Sequence, residues 1–290
     1  MKTAMIITLS ASVMLIAAQA GGAPSQFSEQ RATGHSNGNH ALDCTVIRPW
    51  SDRSDSGGAL YPLIAWANGW DQGNVVGATT TLGYKPGLIE WALDGPYIVI
   101  AANQWSVQES DVLQCIQWLA DQTMDPNSEY YGVADMSRIG LAGHSQGGGA
   151  VIKAGDGEPN GFDITAVVAM NPYGPGWVDT GNQDGPMMLI GGTDDTTTPV
   201  SSFIKVWEAV QENEQGGLLA VLEDGTHNDD AWAPADDFDN PQNYDFGRYQ
   251  RITELWWQFH LNGKVNVGRQ LKRELTTAPW STEFSDNFSF

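Results

Sequence analysis

Arg138-Ile139-Gly140-Leu141-Ala142 runs straight into Gly143-His144-Ser145-Gln146-Gly147 and on into Gly148-Gly149-Ala150-Val151-Ile152-Lys153. The first five residues read as a buried strand, and the last six can begin a helix whose glycines allow close packing against that strand. Between them stands G-x-S-x-G, which in this setting is a strand-to-helix turn that lifts a serine hydroxyl out of a sheet. The helix N-terminus behind the serine helps to hold negative charge that develops beside it. Ser145 is therefore the candidate nucleophile.

The pentapeptide alone proves little, because 33 of the 290 residues are Gly and the pattern recurs at Gly34-His35-Ser36-Asn37-Gly38. No strand is read before Ser36 and no helix after it, so this second match is assigned to a polar arm.

Working outward, short apolar runs at 42–47, 63–67, 97–101, 166–170, 187–190 and 218–222 join the strand at 138–142. Several are continuous rather than alternating, the pattern of parallel strands covered on both faces. Helix-like segments lie between them. Residues 106–121 place Val112, Cys115, Ile116 and Leu119 on one stripe, 199–211 open with Pro199, and 246–261 stop before Asn262-Gly263. The expected fold is one α/β domain over residues 41–290, with a mostly parallel central sheet and helices on both faces. The last seventeen residues or so are read as a tail packed on its surface.

A nucleophile at such a turn requires partners in the order serine, acid, histidine. Met187-Met188-Leu189-Ile190-Gly191-Gly192-Thr193-Asp194-Asp195 ends a strand in two carboxylates, and Pro199 opens the next helix. Asp195 is preferred as the acid, with Asp194 left as the alternative. Of five histidines only His227, in Asp224-Gly225-Thr226-His227, follows a strand beyond the acid. His227 would take the Ser145 proton and later hand it to the leaving group, with Asp195 fixing its tautomer. Two main-chain N–H donors are also needed for an oxyanion. Gln146, just after the nucleophile, supplies one; Trp70, after Ala67-Asn68-Gly69, supplies the other, and its indole would line an acyl pocket.

Composition narrows the partners. A formal net charge of −21 repels phosphate backbones and anionic headgroups, so neither nucleic acid nor a stable membrane association is expected. With 41% hydrophobic residues and 12 Trp the chain is globular. Residues 1–20, with Lys2, an apolar stretch and Ala18-Gln19-Ala20, read as a secretory signal peptide, and 21–40 as a flexible polar arm. Export makes Cys44 and Cys115 candidates for a disulfide, and no C-x-x-C or Cys/His cluster suggests zinc. Six Asp residues between Asp229 and Asp245 match no calcium-loop spacing, so a solvated acidic loop is expected there and no metal or other cofactor. A monomer is expected.

Cys44-Thr45-Val46-Ile47-Arg48-Pro49, Trp66-Ala67-Asn68-Gly69, Gly143 to Gly149, Asp195 before Pro199, and Gly225-Thr226-His227 together resemble the α/β-hydrolase superfamily. The similarity is to its secreted chlorophyllase-like, dienelactone-hydrolase-like and poly(ethylene terephthalate)-hydrolase-like (cutinase-like) esterases, over about residues 42–263. The resemblance implies Ser145, Asp195 and His227 as triad and the nitrogens of Trp70 and Gln146 as oxyanion hole. It also implies an aromatic clamp on the acyl group from Trp70 and Trp177, with Tyr173 in the same loop as Trp177. The expected activity is a serine carboxylic-ester hydrolase for short and medium acyl esters, with cutin-like or synthetic polyesters second and triacylglycerols third. A non-catalytic binding protein on the same fold is the reading from another class.

Overall fold

A computed structural model describes residues 27–34, 42–49, 60–70, 84–104, 106–155, 161–174, 183–227 and 247–290. Strands β1 (Phe27–Gly34), β2 (Leu42–Pro49), β3 (Tyr61–Ala67), β4 (Ile98–Ala102), β5 (Ala134–His144), β6 (Ile164–Met170), β7 (Met187–Gly192), β8 (Gly217–Leu222) and β9 (Trp280–Phe284) form one sheet in the order β1-β2-β4-β3-β5-β6-β7-β8-β9. The six strands from β4 to β8 in that order pair in parallel, while β1, β2 and β9 run antiparallel to their neighbours.

Helices α1 (Lys85–Asp94), α2 (Glu109–Met124), α3 (Gln146–Ala154), α4 (Ile204–Glu212), α5 (Gln250–His260) and α6 (Val265–Leu275) cover both faces. Alternation along each strand sorts the core into two layers. Leu63, Ala65, Leu141, Val167 and Leu189 pack with Val112, Ile116, Val151 and Trp207 from α2, α3 and α4. Their neighbours Ile64, Trp66, Ala142, Val168 and Ile190 pack with Trp91, Trp256, Trp257 and Leu271 from α1, α5 and α6. Each central strand is apolar at successive positions because each position faces a helix layer.

The edges depart from the expectation. Within the supposed arm at 21–40, β1 pairs with β2 from Phe27↔Pro49 to Gly34↔Leu42, so a strand does lead up to Ser36. The next described element is β2, and Ser36 itself lies outside the described residues. β1 is polar because it lies at the edge of the sheet. Its buried Gln30 is satisfied by the Tyr130 hydroxyl, which donates to Oε1 at 2.5 Å. At the other edge the supposed tail supplies β9, whose half-buried and exposed residues alternate along Trp280–Phe284. The helices α1 and α6 were also absent from the expectation. In α6 the signal was present, since Gly268, Leu271 and Leu275 recur on one face.

Cys44 of β2 and Cys115 of α2 are joined by a disulfide across 71 residues, and both sit in the core layer beneath α2. Closing a loop of that length removes conformational freedom from the unfolded chain, an effect of about 4 kcal/mol in the chain-entropy treatment. Urea unfolding with and without reductant should show a loss of that order; an unchanged midpoint would refute it. Among the described residues, no helix is long and apolar enough to cross a membrane.

Candidate active site

Five consecutive strands of the sheet, β3, β5, β6, β7 and β8, run in parallel and so end on one side. In such sheets the chain segments leaving the C-terminal ends converge on a crevice. The segments here carry Asn68-Gly69-Trp70, Ser145, Asn171-Pro172-Tyr173, Asp195 and His227. Ser145 stands at the junction of β5 and α3 with φ 53° and ψ −118°, a conformation that costs a non-glycine residue roughly 1–3 kcal/mol. The surroundings enforce it. The Ser145 N–H donates to the Met170 carbonyl at 2.9 Å, and its own carbonyl accepts from Tyr173 N at 2.7 Å and Gly149 N at 3.1 Å. A Cβ at residue 147 would lie 2.1 Å from the Ala67 carbonyl oxygen, so this position of the turn admits only Gly.

The structure brings the three candidate catalytic side chains together. His227 Nε2 lies 3.0 Å from Ser145 Oγ, and His227 Nδ1 lies 2.8 Å from Asp195 Oδ2. Of the two carboxylates left open by the sequence, only Asp195 meets the imidazole. Asp194 is exposed and accepts from the Thr193 hydroxyl at 3.1 Å.

Residues that the sequence reading did not name complete the acid. The Asp195 Oδ1 accepts the amides of Thr197 and Thr198, each at 2.8 Å. Oδ2 also lies 2.7 Å from the Thr198 hydroxyl and accepts from Asn171 Nδ2 at 2.6 Å. Asn171 is itself held by the Tyr249 hydroxyl at 3.1 Å. Burial alone would raise the Asp195 pKa, but hydrogen bonds from His227, Thr198 and Asn171 outweigh it and hold the carboxyl at about 2. Asp195 is therefore an anion throughout the neutral range, able to stabilise an imidazolium on His227.

His144, one residue before Ser145, is buried, and its Nε2 lies 2.7 Å from the His227 carbonyl. Burial, reinforced by neighbouring His227, lowers its pKa to about 3, and burial does the same to His260 among the aromatics of the C-terminal segment. An unfolded chain takes up protons on these imidazoles below about pH 6.5, which the fold refuses down to about pH 3. Stability should thus decrease as the pH drops through that window, by roughly 1 kcal/mol per pH unit for each histidine. Urea midpoints at pH 7, 5 and 4 test this, and a flat profile would refute it.

An open cleft of about 1230 Å³ contains Ser145 and His227, with Trp70 and Gln146 on its wall beside them. Gln146 is the first residue of α3, so its amide has no partner within the helix. Its side chain is turned away and donates to the Ser106 hydroxyl at 2.5 Å. Trp70 and Tyr173 are 61% and 60% exposed, leaving two aromatic surfaces free at the rim. Trp177 and the acidic segment from Asp229 to Asp245 lie outside the described residues. Among those described, no group of three or more His, Cys, Asp or Glu could hold a metal ion.

A family model described as PET hydrolase-like matches residues 97–233, a span that holds Ser145, Asp195 and His227. No curated protein sequence matches the chain. The matched span, the sheet order and the serine turn agree: the chain has the α/β-hydrolase fold, and its residues 97–233 match the pattern of the PET hydrolase-like branch of that superfamily.

Proposed function

We propose that this chain is a secreted serine carboxylic-ester hydrolase that acts through an acyl-enzyme on Ser145. The observation that carries the reading is the unbroken line from Asp195 Oδ2 to His227 Nδ1, at 2.8 Å, and from His227 Nε2 to Ser145 Oγ, at 3.0 Å, opening into a cleft. Ser145 Oγ attacks the ester carbonyl while His227 takes its proton, and the tetrahedral oxyanion meets the amides of Trp70 and Gln146. His227 then protonates the departing alcohol, and a water activated by the same imidazole releases the acid and restores Ser145.

Short and medium acyl esters are the first substrate class. Polyesters are the second, supported by the family match and by a cleft that is open and carries aromatic surface at its rim. Secretion is supported by the disulfide and by the leader-like residues 1–20. A fluorophosphonate probe should label Ser145 alone, and an ester panel of rising chain length with a polyester film should place the optimum. An unlabelled, inert protein would instead support the non-catalytic binding reading.

A further inference from the structure

Beneath the triad lies a second line of polar groups that the reaction scheme leaves unused. His144 Nε2 is 2.7 Å from the His227 carbonyl. A carbonyl only accepts, so Nε2 carries the proton and Nδ1 offers a lone pair. The Tyr84 hydroxyl, 2.7 Å from that Nδ1, must then donate to it, and the same phenol oxygen accepts the Gly69 N–H at 3.3 Å. The donors therefore run in one direction, from Gly69 through Tyr84 and His144 to the main chain of His227. Three segments far apart in sequence meet here: the loop with the candidate oxyanion donor, the turn with the nucleophile, and the loop with the base.

The rings are packed to hold this order. Tyr84 lies against buried Trp66 at a centroid distance of 4.9 Å, and His144 lies 4.7 Å from His227. The oxyanion loop is also fixed on its other side, where the Trp66 indole donates to Asn68 Oδ1 at 2.7 Å and Asn68 Nδ2 donates to the Ala102 carbonyl at 2.7 Å. With the Asn68 side chain anchored and the Gly69 N–H given to Tyr84, Trp70 is the next residue whose N–H can turn to the cleft. Space is tight as well as polar. A Cβ on residue 69 would come within 2.9 Å of the Tyr84 hydroxyl, 3.0 Å of His144 Nδ1 and 3.3 Å of Ser145 Cβ.

We infer that Tyr84 and His144 are a pair of positioning residues that couple the oxyanion loop to the base loop, so that the Trp70 amide and His227 are set relative to Ser145 together. The inference rests on the serine-hydrolase reading of the site. Neither residue touches the reacting atoms. Their effect falls on the geometry of the transition state, where a donor must be aimed at an oxygen that the ground state lacks.

Tyr84→Phe keeps the ring and removes only the hydroxyl. On a soluble p-nitrophenyl ester it should lower kcat by tenfold or more with KM within about threefold, and weaken binding of a boronic-acid transition-state analogue by a similar factor. His144→Gln, whose amide can still donate to the His227 carbonyl and accept from Tyr84, should retain most of kcat, whereas His144→Leu should not. Because the pair acts as a unit, Tyr84→Phe combined with His144→Leu should be no worse than the poorer single variant by more than about threefold. A Tyr84→Phe enzyme with kcat within twofold of the parent, a loss confined to KM, or losses that multiply would overturn the inference. Ser145→Ala on the same ester separates the two levels. If it keeps full activity, the serine reading itself fails; if it is inactive while Tyr84→Phe equals the parent, only the coupling fails.

Discussion

Ser145→Ala should lower kcat on a p-nitrophenyl ester by at least about 10⁴-fold, leave KM nearly unchanged and abolish labelling by a fluorophosphonate. The substitution removes one oxygen and keeps the Cβ, so the strained φ of 53° and the main-chain bonds that enforce it survive. The variant should therefore fold, and thermal melting within a few degrees of the parent would show that the loss is chemical. Residual hydrolysis would come from the cleft's amides acting on a water. Activity within tenfold of the parent would remove Ser145 from the reaction and the acyl-enzyme with it.

Asp195→Asn should cost about 10³–10⁴-fold in kcat, and Asp194→Asn at most twofold. The asymmetry follows from where the two side chains point. Asp195 Oδ2 faces His227 Nδ1, the Thr198 hydroxyl and the Asn171 amide, while Oδ1 faces two backbone N–H groups. An amide NH₂ turned either way would meet donors. With its NH₂ toward His227 it favours the tautomer with the proton on Nε2, which cannot accept from Ser145. Asp194, exposed beside Thr193, has no such role. Since the Asp195 carboxyl is held at about 2, activity above pH 4 should show no titration of this group, and an acid limb near pH 4 that vanished in Asp195→Asn would contradict the assignment.

The central strands were legible in the sequence because each carries a run of successive apolar residues, and those runs exist because β3 to β8 lie between two helix layers. The edges were not, for the same reason reversed. β1 and β9 carry polar residues along much of their length, which leaves no apolar run, and β9 pairs with a strand nearly sixty residues before it. In α1, Gly87 and the short span between Pro86 and Gly95 left little helical signal to read. The site divides likewise. Ser145 and His227 are announced by a turn motif and by chain order, and the choice between Asp194 and Asp195 was narrowed by spacing alone. Asn171 and Tyr84 act by hydrogen bonds between segments far apart in sequence, which no spacing records. One weak signal existed. Asn171 has φ +43°, a conformation that Asn tolerates better than most residues, and Asn-Pro after a strand marks a turn.

The last strand has a consequence for how copies of this protein meet one another. β8 is Gly217-Leu218-Leu219-Ala220-Val221-Leu222, an apolar ribbon, and without β9 its free N–H and C=O groups would be a template for a second chain. β9 occupies that edge from Leu218↔Phe284 to Leu222↔Trp280 and puts a carboxylate, Glu283, where a newcomer would have to pair. Glu283 is held there by the Trp207 indole at 2.9 Å. Residues 280–284 cover that edge, and a chain trimmed before them should self-associate, which light scattering against the full chain would show.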